Sequence, residues 1–212
     1  MTDKLLGVDK KILAHLSKDV QLKKLIDTLD APKANPYDDD VYLSLTHSIV
    51  SQQLSSKAAN TIYNRFLGLF EDGYPTAQTV LDLSMEEMRS VGLSKQKASY
   101  MKNVAQFFLD NDLLEKDWSD LSDEVIIKEL TQIKGVGKWT VQMILMFTLG
   151  REDVFPIDDL VVRNNMIKLY GVISKGKVMR KELHEIAENW KPYRSWGSRY
   201  MWKWKDETNG GR

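Results

Sequence analysis

The chain has 212 residues, 42% of them hydrophobic, and 30 Lys/Arg balance 30 Asp/Glu; that is enough apolar material for one large domain or two small lobes with real cores. It contains no cysteine, and its three histidines (His15, His47, His184) have no metal-ligand spacing, which excludes disulfides, a thiolate nucleophile and a Cys-held zinc or iron–sulfur cluster. No apolar run approaches the roughly twenty residues that span a bilayer, and Met1-Thr2-Asp3-Lys4 lacks the features of a secretory leader, so an intracellular, membrane-free location is expected.

Taken in chain order, the sequence predicts helix after helix. Ser55 caps a helix with Ala58, Ala59, Ile62 and Phe66 at helical spacing. Ser84 and Glu87 have capping-box spacing, and Gly92 is a stop. Ser94 opens a helix with Tyr100, Val104 and Phe108 on one side, and Ser122 caps one from Val125 to Ile133. Trp139 to Leu149 is strongly apolar and predicts a buried helix. Asp158 or Asp159 caps a helix through Tyr170 that Gly171 ends, Lys177 to Trp190 is amphipathic, and Pro192 precedes a last helix. No alternating strand pattern occurs. The fold class is all-α. The loops near Ala31–Pro36 and Gly150–Pro156 are natural crossing points, which predicts two helical lobes around a cleft: residues 37–150, and residues 1–36 with 151–212.

Four patterns carry chemistry. Residues 128–205 hold fifteen Lys/Arg against eight Asp/Glu, a local excess that the rest of the chain cancels; such a face can hold phosphates on a neutral protein, although a solvated charged surface reads the same way. Within that half, Gly135-Val136-Gly137 joins two helical runs. Bare backbone there can approach a phosphate, and the following helix offers its N-terminal N–H groups; a glycine-rich turn between helices also occurs with no ligand. Next, Asp158-Asp159 stands at a predicted helix start. One carboxylate suffices as a cap, so the second can face a sugar and stabilise an oxocarbenium-like transition state. Finally, Trp190, Trp196, Trp202 and Trp204 cluster with Tyr193 and Tyr200, either as core or, with Trp139, as a wall for an extruded base.

The segments Ile133-Lys134-Gly135-Val136-Gly137-Lys138-Trp139-Thr140, Asp153-Val154-Phe155-Pro156-Ile157-Asp158-Asp159 and Trp190-Lys191-Pro192-Tyr193-Arg194-Ser195 resemble the helix-hairpin-helix DNA glycosylase superfamily. The alkylbase branch, the 3-methyladenine DNA glycosylase II family, is the most similar. Ser48 to Ser55 and Val91 to Ala98 fit the same family, and the resemblance runs over roughly residues 37 to 205. It implies Asp159 as the catalytic carboxylate, with Asp158 its neighbour and helix cap. It implies Trp139 and Trp202 as base-pocket aromatics, with Met143 where a relative has a pocket tyrosine. Gln53, with Gln52 and Leu54, would plug the gap left by a flipped nucleotide. Gly135, Gly137, Lys138 and Thr140 would bind the DNA backbone. The main-chain carbonyls of Thr131, Ile133 and Val136 fall where relatives hold a structural Na+ or K+; no other cofactor is implied.

In the strand-nicking branch a lysine stands two residues after the second hairpin glycine; here that residue is Trp139, so no Schiff base is available there. The expectation is a monofunctional, monomeric enzyme. It would excise alkylated purines such as 3-methyladenine and 7-methylguanine from double-stranded DNA, in a bacterial nucleoid or a eukaryotic nucleus. The alternatives are a glycosylase for hypoxanthine, etheno or oxidised bases, and a non-catalytic sensor of DNA damage.

Overall fold

The computed structural model describes residues 8–33 and 40–208, with side chains to Lys205. The described residues form twelve α-helices and no strand. In chain order these are α1 (Lys10–Leu16), α2 (Val20–Thr28), α3 (Val41–Ser51), α4 (Ser56–Leu67), α5 (Ala77–Asp82), α6 (Met85–Ser90), α7 (Lys95–Asp110), α8 (Asp123–Leu130), α9 (Lys138–Phe147), α10 (Leu160–Tyr170), α11 (Gly176–Glu188) and α12 (Arg194–Thr208). Short polar side chains start most of them. Asp9, Asp19, Asp40, Ser55, Thr76, Ser94 and Ser122 each accept a first-turn amide, and Ser84 with Glu87 forms the full capping box. Gly171 ends α10 in the left-handed conformation at φ 67°.

Two compact units result: one from 38 to 144, the other from 1–37 together with 145–212. The first predicted boundary, at 36/37, lies outside the described residues. The second is found at 144/145, inside α9, rather than at 150. The reason is local: Met146 is buried, its carbonyl accepts from Arg199 at 3.1 Å, and the Leu145 carbonyl accepts from the Arg151 amide at 2.8 Å. The last turn of α9 therefore belongs to the unit built from the chain ends.

In the 38–144 unit, α7 is the organising element. It packs against α3, α5 and α6 and buries Ala98, Met101, Val104, Ala105 and Phe108. In the other unit, α12 packs against α2, α10 and α11. Its core takes in Trp190, Trp196 and Tyr200, all buried. These three aromatics are core rather than a wall for a base. The Trp190 indole N–H reaches the Tyr170 hydroxyl at 3.3 Å, and that hydroxyl donates to Asp19 at 2.8 Å, so the buried polar atoms are satisfied. Burial beside the Asp19 carboxylate pushes the Tyr170 phenol well above its ordinary range.

Candidate functional site

The hairpin runs from Thr131 to Gly137, between α8 and α9. Its two glycines do different work. Gly135 has φ +108°, and a Cβ there would collide with the Tyr100 ring; the turn closes only because no side chain is present. Gly137 lies outside the left-handed region, and a Cβ on it would meet nothing within 4 Å. The protein itself does not need a glycine at 137, so the bare backbone there leaves room for something outside the chain. Gly137 directly precedes α9 and has no side chain to cap its first-turn amides, which suits an anion. Lys138 is exposed. Thr140 is only 4% exposed, so its side chain packs inward. What it can offer a phosphate is its backbone N–H.

The hairpin is braced through its own carbonyls. Gln52 Nε2 donates to the Gly135 carbonyl at 3.0 Å, and Asn103 Nδ2 to that of Lys134 at 3.1 Å. Gln52, read from the sequence as part of the inserting segment, is here also a support for the hairpin. The tip beside it is Gln53, exposed at φ +59°, and Leu54, 39% exposed. On α9 of the same unit, Trp139 is 42% exposed and Met143 half-buried.

The carboxylate lies in the unit of the chain ends. Asp159 itself is the N-cap of α10, with φ −66° and ψ 124°. Its Oδ1 accepts the Val161 and Val162 amides at 2.9 Å each, and the Trp202 indole N–H at 3.0 Å. This corrects the assignment of the cap to Asp158. A cap needs extended backbone whose side chain returns to the second and third amides, and residue 159 has that position. Asp158 instead pairs with Arg180 at 2.7 Å. Asp159 keeps 9% exposure. It is recessed among its donors rather than standing open, and the helix N-terminus favours its charge.

Sequence reasoning found the segment Trp190 to Ser195 but not what it does. Arg194 grips the Asp153 carboxylate through Nε at 2.8 Å and Nη2 at 3.0 Å, a bidentate pair. Ser195 Oγ donates to the Arg151 carbonyl at 2.7 Å and accepts the Val154 amide at 2.9 Å. The start of α12 thus staples the loop 151–154 that delivers Asp159. Farther along α12, Trp202 stacks at a tilt on Phe147, centroids 5.7 Å apart, and turns its N–H to the carboxylate. The Arg199 guanidinium lies over Phe147 and Trp196, at 4.6 and 4.9 Å from the ring centroids, and donates to the Lys33 carbonyl. The signal available in the sequence was the i, i+1 pair Arg194-Ser195 after a proline, which becomes legible only once residues 151–153 are known to be its partners.

A glycine hairpin between two helices and a capping aspartate on the next helix define a helix-hairpin-helix protein of DNA base repair. The chain belongs to the HhH-GPD superfamily of base excision DNA repair proteins, whose family model matches residues 46–192. It is 38% identical over 173 residues to DNA-3-methyladenine glycosylase 1 of Schizosaccharomyces pombe, covering 81% of this chain and 73% of that one. An alkylbase DNA glycosidase-like protein of the same organism is 30% identical over 92% of both chains. The solved S. pombe 3-methyladenine DNA glycosylase in complex with abasic DNA matches with a TM-score of 0.77 and 35% identity, over 92% of this chain and 96% of that one.

Proposed function

We propose that this protein is a monofunctional DNA glycosylase that excises alkylated purines, among them 3-methyladenine and 7-methylguanine, from duplex DNA and leaves an intact abasic site. The observation that carries this reading is the Asp159 carboxylate, oriented by three N–H donors on Oδ1 at a helix N-terminus. Methylation makes the base cationic, so little general-acid help is needed. The bond between C1′ and the base nitrogen breaks with its electron pair passing to the base, which leaves neutral. The sugar becomes an oxocarbenium ion that the Asp159 charge stabilises; water then adds at C1′ and loses a proton to solvent.

In this proposal the hairpin holds the strand through backbone N–H groups near Gly137 and the Lys138 charge. Gln53 and Leu54 enter the duplex, Trp139 and Met143 on α9 offer base contacts, and Trp202 orients the Asp159 carboxylate. The carbonyls of Thr131, Ile133 and Val136 would hold Na+ or K+. An all-oxygen donor set suits such a hard ion, and the Ile133 carbonyl, which accepts the Val136 amide at 3.0 Å, keeps a second lone pair. The ion would add positive charge beside the bound phosphate. The enzyme works wherever its DNA lies, in nucleoid or nucleus.

The test is incubation with methylated duplex DNA. Free 3-methyladenine and 7-methylguanine are expected, with strand breaks only after alkali. Binding with no base release would identify a sensor instead, and breaks without alkali would refute the monofunctional assignment.

A further inference from the structure

We infer that Lys97 is a positioning residue for base extrusion: it holds the Gln53–Leu54 turn in the shape that enters the duplex. This rests on the reading of that turn as the inserting tip. The Lys97 ammonium donates to the Val50 carbonyl at 2.8 Å and to the Gln52 carbonyl at 2.7 Å. Both carbonyls lie at the C-terminal end of α3, where a helix leaves its last acceptors unpaired and favours a positive charge. One residue on, Gln53 takes the left-handed conformation at φ +59°, which a non-glycine residue holds only when its surroundings impose it. Lys97 fastens the residue immediately before it.

The same face of α7 also holds the hairpin. Lys97, Tyr100 and Asn103 recur every three residues and so share one side of the helix. Tyr100 fills the space that the missing Gly135 side chain leaves, and Asn103 bonds the Lys134 carbonyl. Gln52 closes the circuit. Its backbone carbonyl is held by Lys97, and its side chain donates to the Gly135 carbonyl. Tip and hairpin are thereby set at one spacing from a single helix face, which a device that must grip a strand and displace its base together requires. Burial disfavours the Lys97 charge and lowers its pKa. An ammonium kept there against desolvation points to a use that an apolar side chain would not serve.

The experiment uses the full chain carrying Asp159→Asn, so that no base is released, and a duplex with 2-aminopurine stacked beside the lesion. With Lys97 present, binding is expected to raise the 2-aminopurine fluorescence as the lesion leaves the stack. Lys97→Met is expected to lower that amplitude at saturating protein by about fivefold or more, while affinity for a duplex that is already abasic changes by less than about threefold. Lys97→Arg, which can still reach two carbonyls, is expected to restore more than half of the amplitude. A full amplitude in Lys97→Met overturns the proposal, and so does a parallel loss of amplitude and abasic-duplex affinity. Should Lys97→Met fail to fold, Lys97→Gln keeps one donor and carries the same test, with an intermediate amplitude expected and a full one fatal. No fluorescence rise even with Lys97 present would refute the inserting tip itself, a different failure from that of Lys97.

Discussion

The hairpin and the carboxylate are held in opposite ways. At the hairpin the protein grips backbone carbonyls, through Gln52 and Asn103, and the functional feature is an absence of side chain. At Asp159 it grips a side chain, through two amides and an indole. The hairpin therefore divides its labour between two residues, since Gly135 serves the fold, whereas a side chain at Gly137 would meet nothing of the protein and the position is proposed for a phosphate. At Asp159 a single carboxylate both starts a helix and carries the proposed charge. Function and stability are separable by position in the first region, and in the second only by the choice of replacement.

The sharpest test of that contrast is Asp159→Asn. Asparagine caps a helix about as well as aspartate, so unfolding free energy should change by no more than about 0.5 kcal/mol. Base release should fall by at least about 100-fold, because the stabilising charge is gone. Turnover at the wild-type rate would remove Asp159 from the mechanism. Next in size is Gly135→Ala, which meets both the Tyr100 ring and a positive φ; urea unfolding should show a loss of about 2 kcal/mol or more. An unchanged midpoint would mean that the hairpin does not close on Tyr100. Trp202→Phe keeps a ring against Phe147 but removes the N–H, and base release should drop about tenfold with little change in melting. A normal rate there would mean that the third donor on Asp159 is idle. Last comes Gly137→Ala, with a stability loss of less than about 1 kcal/mol expected. Its effect belongs in binding, weakened alike for damaged and undamaged duplexes, because in the proposed function the hairpin holds phosphate, which every duplex carries. Weakening confined to damaged DNA would break the comparison.

Much of this was legible along the chain because the signals are local. Ser55, Ser84, Ser94 and Ser122 announce helices within three residues of themselves, and each caps the helix expected. The Gly-Val-Gly turn and the aspartate pair stand out for the same reason. Helices α1, α2, α3 and α5 were not anticipated; for α5, six residues from Ala77 to Asp82 are too few for a periodic pattern to emerge. Apart from the choice between Asp158 and Asp159, the other difficulties involve partners far apart in sequence. Nothing near Trp190 or Trp196 distinguishes a core tryptophan from one that meets a base; burial decides that, and burial is a property of the assembled unit.

The order of apolar and polar residues, together with the capping and glycine signals, determined by itself that this is a helical protein with a glycine turn between two helices and a carboxylate at a helix start. Only the folded chain decided that Gln52 and Lys97 secure the turn between them, and that Arg194 and Ser195 staple the loop before Asp159. The physical reason is reach. A cap or a turn is satisfied by atoms a few residues away, whereas a brace joins groups separated by thirty residues or more and exists only after the helices have packed.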